Sequence, residues 1–502
     1  MSGGAWIVAA VAVPLAAAVA ALLAGRRGAS AAGLLGSLLG TAAVFGLAAA
    51  VLAGGAQSVV VGGWDAPLGI VLRADGLATA MMLMTAAVGG GIALYAWRYF
   101  GGPHANSTAQ DADPGTATLR QEWLFWPVWL LAWGALNALY LSGDLFNLYV
   151  TLELLGLAAV ALVALAGASA AAAALRYLLL ALLGSMLYIL GVELLYAAHQ
   201  TLDLEQLRAR MQPSLSTGLA AALMTTGLLV KTAVFPLHFW LPPAHGSAPA
   251  PVSAALSALV VKAGFYLLAR LWLDLFGPLP WQAVPTLLGL LGAGAVLWGG
   301  VQALRQQRLK PMIAYSTVAQ LGYLLIALSL AAGSATSPTA DDALTAAVLL
   351  AASHAAAKAS MFLCAGSLLA AYGHDRIDAL AGFGTRLPVT ATAFALAALS
   401  LIGLPPTGGF IGKYLLVESA VRAGAWGSVA VVLAGSLLAA MFLFHALSRA
   451  FVEERSVPDA EKAQLAAPTA PQFASLALAL LAVALVVAGG PLQVLLARGA
   501  VP

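Results

Sequence analysis

Charged residues are scarce in this 502-residue chain. They make up 9% of it, against roughly 25% in an ordinary soluble domain, while hydrophobic residues make up 62%. A soluble protein of this size could not cover its surface with so few charges. Apolar runs of about 20 residues, long enough to cross a bilayer, recur along the entire chain. The sequence therefore predicts a single membrane domain over residues 1–502 and excludes a set of soluble domains.

The chain also has very little that could carry covalent chemistry. Its single cysteine, Cys364, excludes an internal disulfide, a thiolate metal cluster and a Cys-x-x-Cys redox pair. The phosphate-binding GxxxxGK[ST], a dinucleotide-binding GxGxxG after a strand and the zinc-binding HExxH are all missing. The net charge of +3 is too small to indicate nucleic-acid binding. We therefore expect no cofactor, no metal and no catalytic residues in this chain, and any redox groups would lie in other chains.

The apolar runs predict an all-α polytopic membrane protein of about fourteen transmembrane helices. Two polar stretches, 101–121 and 452–468, are expected to be loops because they are rich in Pro, Asp or Ser. No Lys or Arg precedes the first apolar run, so we expect that run to remain as a helix. The predicted spans are 5–25, 31–53, 76–99, 123–142, 145–168, 174–198, 216–241, 252–272, 281–303, 313–333, 343–371, 388–423, 427–450 and 472–495.

Proline and glycine interrupt the seventh and the twelfth predicted spans, and each interruption lies beside a lysine. Such breaks are tolerated within lipid only where protein or water satisfies the freed backbone groups. Paired broken helices indicate the ion path of a transporter. The residues that we assign to the breaks are Pro236, Pro242, Pro243, Pro405, Pro406, Gly408 and Gly409.

The two breaks are five spans apart, which predicts two five-helix repeats. The first repeat comprises spans four to eight (123–272) and the second comprises spans nine to thirteen (281–450). Three helices in 1–122 precede the repeats, and one helix at 472–495 follows them.

Six ionisable residues within the predicted spans carry the strongest signal. A charge near the bilayer centre costs at least about 2.5–3.5 kcal/mol. We therefore expect them to face the protein interior, to pair with one another or to line water. Because burial disfavours the charged form of a lysine, a buried lysine can exchange its proton near neutral pH, and a nearby carboxylate makes that exchange switchable. The candidates for a proton path are Glu153, Lys231, Lys262, His354, Lys358 and Lys413.

Each candidate also has a structural interpretation. A buried lysine can simply bind a carbonyl group, and Glu153 can serve only as a counter-ion. Lys358 can extend towards the interface. His354, one helical turn away on the same face, can be a helix-contact residue, although imidazole titrates near neutral pH and suits a relay. The breaks beside Lys231 and Lys413 favour the functional interpretation for those two residues.

Other polar residues carry weaker signals. His238 and His245 flank the first break, but a metal site there would need further ligands that the sequence does not supply. Asp75 lies near the end of a span, where a solvated loop role is the default expectation.

The lysines and arginines predict the orientation, because cytoplasmic loops are enriched in them. With both termini outside, thirteen basic residues are cytoplasmic, six are outside, and the remaining four are the intramembrane lysines. We therefore expect a multi-pass protein of the bacterial inner membrane with both termini on the periplasmic or outer side. The predicted cytoplasmic residues are Arg26, Arg27, Arg98, Arg120, Arg176, Arg305, Arg308, Lys310, Arg376, Arg386, Arg449, Arg455 and Lys462.

Long motifs resemble the proton-conducting membrane subunits shared by respiratory complex I and Mrp-type antiporters. They are PLHFWLPPAH (236–245), VVKAGFYLLAR (260–270), RLKPMIAYSTVAQLGYLL (308–325), HAAAKASMFLCAG (354–366) and LIGLPPTGGFIGK (401–413). The resemblance implies fourteen helices, two inverted five-helix repeats and a lateral row of ionisable residues. It implies that Glu153 and Lys231 form the charge pair of the first half-channel and that Lys262 is the bridging lysine. It further implies that His354 and Lys358 lie on the connecting helix and that Lys413 is the terminal lysine.

Within that family, the segments 62–78 and 146–156 look most like the D-type subunit of the multisubunit Mrp Na+/H+ antiporter. This favours a proton-translocating subunit of a monovalent cation/proton antiporter, which works with other membrane subunits and is not an enzyme. Lysine at position 413 disfavours the M-type subunit of complex I. The N-type subunit of complex I, or its counterpart in a membrane-bound hydrogenase, is the nearest alternative. A subunit that energises inorganic-carbon uptake beside a soluble zinc protein also stays open, whereas a structural scaffold gains nothing from costly buried lysines.

Overall fold

The computed structural model describes residues 3–64, 66, 69–100, 114–281, 283–333, 338–452 and 469–498, with the backbone alone at 114–122, 338, 469 and 470. Most of these residues are helical, which confirms the predicted fold class. By length and hydropathy, ten of the described helices are able to cross a bilayer. A bent pair of helices at the C-terminal end raises this number to eleven.

Kinks and breaks bring the described part of the chain to fourteen spans. The first helix, 52 residues long, has non-helical backbone at Gly25 and therefore makes two spans. Two shorter apolar helices, Leu215–Lys231 and Pro388–Ile402, each form part of a broken span. The spans are Gly3–Gly54 (two spans), Gly76–Phe100, Pro114–Leu141, Leu145–Ala164, Ala171–His199, Leu215–Lys231 with Leu241–Ser247, Ala250–Leu275, Ala283–Leu304, Leu309–Gly333, Pro338–Tyr372, Pro388–Ile402 with Gly408–Arg422, Trp426–Phe451, and Thr469–Ala484 with Gly489–Arg498. Short helices lie at Gly167–Ala170, Leu204–Arg210, Ile377–Ala379, Phe383–Arg386, Arg449–Phe451 and Leu485–Val487.

One local expectation was wrong, and the structure adds a feature that the sequence did not predict. The fourth span is helical from Pro114, so the predicted loop 101–121 is helical over its last part, while 101–113 and 453–468 lie outside the described residues. The fold is also not purely helical. Strands β1 (Gln57–Val61) and β2 (Ile70–Ala74) pair antiparallel between the second and third spans. β-branched residues make up much of both strands, and they favour extended backbone.

The eighth, tenth and eleventh spans form the centre of the protein. Almost all of their residues are buried, whereas the first helix and the thirteenth span expose most of theirs at the surface. The central spans are rich in Ala, Ser and Gly, and such small residues let helix backbones approach closely within a membrane. Charges on these central spans therefore lie far from lipid.

The two broken spans, the seventh and the twelfth, are five spans apart, as the sequence predicts. Because five crossings are an odd number, equivalent helices of two consecutive five-helix repeats cross the membrane in opposite directions. The assignment of 123–272 and 281–450 to the two repeats stays a prediction.

Two glycines allow the sixth and seventh spans to cross in close contact. A Cβ atom added to Gly227 would lie 2.3 Å from the carbonyl oxygen of Gly184, and one added to Gly184 would lie 2.8 Å from that of Gly227. Lys231 follows Gly227 by one helical turn. A Cβ on Gly184 would also lie 3.0 Å from the Cγ of Lys231, so this crossing sets the position of the lysine.

We predict that Gly227→Ala destabilises the protein by about 1–3 kcal/mol, because the new methyl group meets backbone that cannot move independently. The measurement is thermal unfolding of the purified protein in detergent, with a lower melting temperature expected. Gly90→Ala is the matched control, since an added Cβ there has no neighbour within 4 Å. A melting temperature for Gly227→Ala equal to that of the control would contradict the proposed role of the crossing.

Candidate functional site

The first component of the site is an ion pair between Glu153 of the fifth span and Lys231 of the seventh. The ammonium group contacts the carboxylate directly, and the Ser185 hydroxyl donates to the same carboxylate oxygen. The lysine side chain is 7% exposed and that of the glutamate 19%. The predicted contact between the two residues is thus confirmed. A small cavity of about 20 Å³ beside Lys231 has room for one water molecule.

The first helix break follows Lys231 directly. The seventh span leaves the helical path at Thr232 and resumes at Leu241, and Pro236 lies in the irregular segment between them. Two side chains donate hydrogen bonds to the backbone beside this break. The Trp240 indole N–H donates to the carbonyl of Val230 at 2.9 Å, and the Thr232 hydroxyl donates to that of Leu228 at 2.7 Å.

Pro242 and Pro243 lie outside this irregular segment. They occupy the first turn of the helix Leu241–Ser247. Proline is well tolerated there, because the first N–H groups of a helix have no intrahelical partner. These two prolines therefore begin the second half of the broken span instead of interrupting it, which corrects their assignment to the break.

Lys262 lies on the fully buried eighth span and is itself 0% exposed. Its ammonium group donates to the carbonyl of Ser257, five residues earlier. The segment Leu256–Val260 is a π-helical turn, a form that is often found at functional sites. A π-helical turn is wider than an α-helical turn, and the carbonyl of Ser257 in this turn is accessible to Lys262 on the same helix.

A row of hydroxyl and carbonyl groups joins Lys262 to Lys358. The Ser257 hydroxyl lies 2.8 Å from that of Thr317, and the Thr317 hydroxyl lies 3.1 Å from the carbonyl oxygen of Ile313. The Lys358 ammonium group donates to the same Ile313 carbonyl at 2.7 Å. Lys358 is 0% exposed, so it does not extend to the interface.

The ammonium group of Lys358 also contacts the Ser316 hydroxyl. His354, one turn before Lys358, is 3% exposed. Neither of its ring nitrogens has a hydrogen-bond partner among the described residues. The imidazole lies within electrostatic range of Lys262, Lys358 and Lys413. It is therefore a titratable group near both the central lysines and the last one.

Lys413 lies at the second break and binds the end of the preceding half-helix. Its ammonium group donates to the carbonyls of Leu401 and Ile402, both at 3.0 Å, and to the Ser436 hydroxyl at 3.0 Å. It also lies 4.5 Å from the ring centroid of Tyr323. A cation at the C-terminal end of a helix is favoured by the helix dipole. Among its described contacts there is no carboxylate.

The second break contains fewer residues than the sequence analysis assigned to it. Pro388–Ile402 ends at Gly403, Pro405 and Pro406 lie in the irregular segment, and Thr407 caps the next helix, Gly408–Arg422. Gly408 and Gly409 are thus the first helical residues and do not belong to the break. Their role is close packing, since a Cβ on Gly409 would lie 1.9 Å from the carbonyl oxygen of Ser400.

Sequence reasoning missed several polar residues of the site. Ser185, Ser257 and Thr317 lie in apolar spans. A serine or threonine in such a span often lies at a contact between helices, and this preference could have indicated them from the sequence. Gln320 donates to the Leu401 carbonyl at 3.0 Å and thereby shares an acceptor with Lys413. Lys310, which the sequence predicts on the cytoplasmic side, is buried and 4% exposed.

Asp75 also differs from its expected solvated role. It is 6% exposed and forms an ion pair with Arg270 of the eighth span. The carboxylate accepts the backbone N–H of Ala78 at 2.8 Å as well. Asp75 therefore caps the start of the third span, and its ion pair with Arg270 holds that span against the eighth.

The arrangement can carry protons, because it places several groups that bind a proton reversibly in the interior of the protein. Apart from the pair at Glu153, backbone carbonyls and hydroxyls are the hydrogen-bond partners described for its lysines. Among the described residues, no three His, Cys, Asp or Glu side chains are grouped so that they could hold a metal ion.

Comparisons with known proteins agree with this geometry. The family described as NADH:quinone oxidoreductase/Mrp antiporter, transmembrane, matches residues 142–439. The chain is 36% identical to NADH-quinone oxidoreductase subunit N of Desulforudis audaxviator, with 86% of this chain and 85% of that protein covered. It is 29% identical to the D-type subunit of the Na(+)/H(+) antiporter of Bacillus subtilis, with 80% and 78% covered.

The fold matches a chain in the structure of the Mrp complex from Dietzia sp. DQ12-45-1b. The TM-score is 0.85 at 24% identity, with 98% of this chain and 96% of that chain covered. The helix breaks, the interior row of lysines and these similarities lead to one conclusion. The chain belongs to the family of transmembrane subunits common to NADH:quinone oxidoreductases and Mrp antiporters.

Proposed function

We propose that this chain is the proton-translocating subunit of a multisubunit Na+/H+ antiporter. Protons pass along a lateral path inside the membrane, while partner subunits complete the cation route. The chain carries out no covalent chemistry. The residues of the path are Glu153, Lys231, Lys262, His354, Lys358 and Lys413.

The observation that carries this proposal is the Glu153–Lys231 ion pair beside the first helix break. An ion pair in a poorly solvated site is sensitive to any nearby charge, because the low dielectric strengthens electrostatic interactions. A proton that arrives at Lys262 would therefore weaken the hold of Lys231 on its own proton. The same repulsion, repeated along the row, couples events at Glu153 to events at Lys413.

The orientation follows from the positive charges in the connecting segments. We propose that the face with Arg305, Arg308 and Arg376 is cytoplasmic, since lysine and arginine are enriched on that side. Both termini then lie on the outer side of a bacterial inner membrane.

A second function is favoured by one specific observation. The 36% identity to a subunit N of NADH-quinone oxidoreductase, over 86% of this chain, supports a proton-pumping subunit of a redox complex. The helices and the buried charges serve both functions equally well. The two differ in their partners, which are antiporter subunits in one case and flavin and iron–sulfur subunits in the other.

The two functions predict different behaviour of the purified material. Sodium sites use several hard oxygen ligands, and no such group of carboxylates is found among the described residues. We therefore expect the chain alone to exchange no Na+ for H+ in proteoliposomes, and the complex isolated from its native membrane to do so. Mass spectrometry of that complex identifies the partners. Exchange by the chain alone at the rate of the full complex would contradict this expectation, and flavin-containing partners would favour the redox function.

Loss of the charge pair should abolish transport. In Glu153→Ala, Lys231 loses its carboxylate partner, and a buried charge without its partner costs about 3–5 kcal/mol. Proton flux in vesicles with the assembled complex is expected to fall to background, with the amount of complex largely retained. Glu193→Gln is a suitable control, because Glu193 is an exposed carboxylate on the neighbouring span. Near-normal flux in Glu153→Ala would exclude this role for the pair.

Lys413→Arg tests whether Lys413 carries protons or is only a fixed charge. Arginine can still donate to the carbonyls of Leu401 and Ile402, but it does not release its proton at accessible pH. We expect normal assembly and no proton flux. Tyr414→Phe, at an exposed neighbouring position, should retain the parent flux. If Lys413→Arg transported protons like the parent protein, the end of the path would have to lie elsewhere.

A further inference from the structure

A groove of about 1140 Å³ lies among the sixth, seventh, ninth and tenth spans. Its walls come from the starts of the sixth and tenth spans and from the second halves of the seventh and ninth. These segments approach the same face of the membrane, because successive spans cross it in alternate directions. Sites for small molecules usually measure about 300–1,000 Å³, so this groove has room for a larger ligand. We call it the Arg176–Arg308 groove, after the two arginines in its lining.

One end of the groove is positively charged. Arg176 and Arg308 line it, and its described lining contains no Asp or Glu. Arg176 is exposed and forms no ion pair within the described part of the chain. Arg308 donates through Nε to Asp375 at 2.7 Å, yet its side chain is 59% exposed. Because a guanidinium group has further N–H donors, Arg308 can bind a second acceptor, and this end of the groove suits an anion.

Neutral polar groups lie beside the two arginines. Gln302, Gln306 and Ser247 belong to the lining and can donate hydrogen bonds. His238 also lines the groove and is 8% exposed. Its Nδ1 atom is buried without a hydrogen-bond partner among the described residues. Buried polar atoms are rarely left unpaired, so this nitrogen indicates a polar partner that occupies the groove.

The other end of the groove is apolar and reaches the depth of the first break. Phe235 and Pro236 line it from the irregular segment of the seventh span. Trp298 lines it from the ninth span, six residues before that helix ends at Leu304, which places it roughly 9 Å from the helix end. Phe239 and Trp298 are 52% and 45% exposed. Large exposed rings at this depth contact hydrocarbon, so the ligand must be apolar along this part.

We propose that the Arg176–Arg308 groove binds one anionic phospholipid of the adjoining leaflet. The phosphate lies between the two arginines, because guanidinium groups match its geometry, and basic pockets between transmembrane helices bind anionic head groups. An acyl chain extends along Phe239 and Trp298 towards the break. The lipid then contacts the second half of the broken span and the ninth and tenth spans together, and holds them against one another. This site is independent of proton transport and goes beyond the proposed function.

Binding of defined lipids to the purified full-length chain tests the charged end. Native mass spectrometry compares dioleoyl-phosphatidylglycerol with dioleoyl-phosphatidylcholine, and we expect one molecule of the anionic lipid to bind more tightly. Arg176→Gln should weaken that binding about fivefold, the effect of one basic residue near anionic lipid. Arg305→Gln is the matched control, since Arg305 is exposed on the same face but does not line the groove. Equal affinity for phosphatidylglycerol in Arg176→Gln and the parent would overturn the proposal.

A second comparison distinguishes a lipid from a free phosphate ion. Trp298→Ser should weaken binding of dioleoyl-phosphatidylglycerol but leave that of the short-chain dihexanoyl form unchanged, because only the long chain reaches the tryptophan. Trp426→Ser, at an exposed tryptophan outside the groove, is the control. Inorganic phosphate at the concentration of the lipid should not displace it. Displacement by inorganic phosphate would indicate a site for the free ion and would overturn the lipid site.

Thermal unfolding reports whether the lipid holds the helices together. A ligand that binds only the folded state raises the melting temperature, so phosphatidylglycerol should raise it in the parent more than in Arg176→Gln. An equal rise in both proteins would contradict the site.

The assembled complex provides the last test. A photoactivatable phosphatidylglycerol, added to the complex from its native membrane, should label the segment 235–247. Labelling of this segment in the chain alone but not in the complex would show that a partner subunit covers the groove, and the proposal would be overturned.

Discussion

The structure depends on one constraint, which is that an ammonium group inside a membrane must find acceptors from the protein itself. Regular helices offer few, because their carbonyl groups are already engaged in backbone hydrogen bonds. The protein supplies several of these acceptors at irregular backbone. Lys413 takes the two last carbonyls of a half-helix, Lys262 takes a carbonyl in a π-helical turn, and Lys310 takes the carbonyl of Ala248 between two helices.

This way of solvating charge explains why Lys413 and the second break occur together. A broken span exposes carbonyl groups at the depth where a lysine needs them, and the lysine in turn stabilises the exposed helix end. Proline and glycine serve different parts of this design. Pro236 lies in the irregular segment, Pro242 lies in the first turn of the helix that follows, and Gly409 lets its helix approach Ser400. The prolines and glycines near the breaks thus have three different physical roles, although all of them look like helix-breaking residues in the sequence.

The row is chemically asymmetric along its length. Its first lysine has a carboxylate partner, while the later ones have only neutral contacts among the described residues. Like charges in a low-dielectric interior repel strongly, so the lysines of the row are not independent of one another. The hydroxyl groups of Ser257 and Thr317 join the two central lysines through neutral atoms, which can reorient without carrying a net charge. A change in charge at one end can therefore act at the other without movement of whole helices.

Much of this protein follows from the order of its residues alone. Long apolar runs have no stable place except lipid or a protein core, so the spans could be predicted directly. The cost of buried charge selected Glu153 and the four lysines as candidates for a proton path. The motifs around Lys231, Lys358 and Lys413 were sufficient to indicate the family, which the comparisons then showed.

The neighbours that satisfy those charges depend instead on tertiary packing. The partner of Lys262 is a carbonyl on its own helix, and that of Lys358 is a carbonyl on the tenth span, and no spacing in the sequence distinguishes these carbonyls from others. Lys310 and Asp75 are of residue types that usually lie at the surface. They are buried because helices that are distant in sequence pack over them. Hydrogen bonds and burial depend on this packing in three dimensions, whereas hydropathy depends only on the order of residues along the chain.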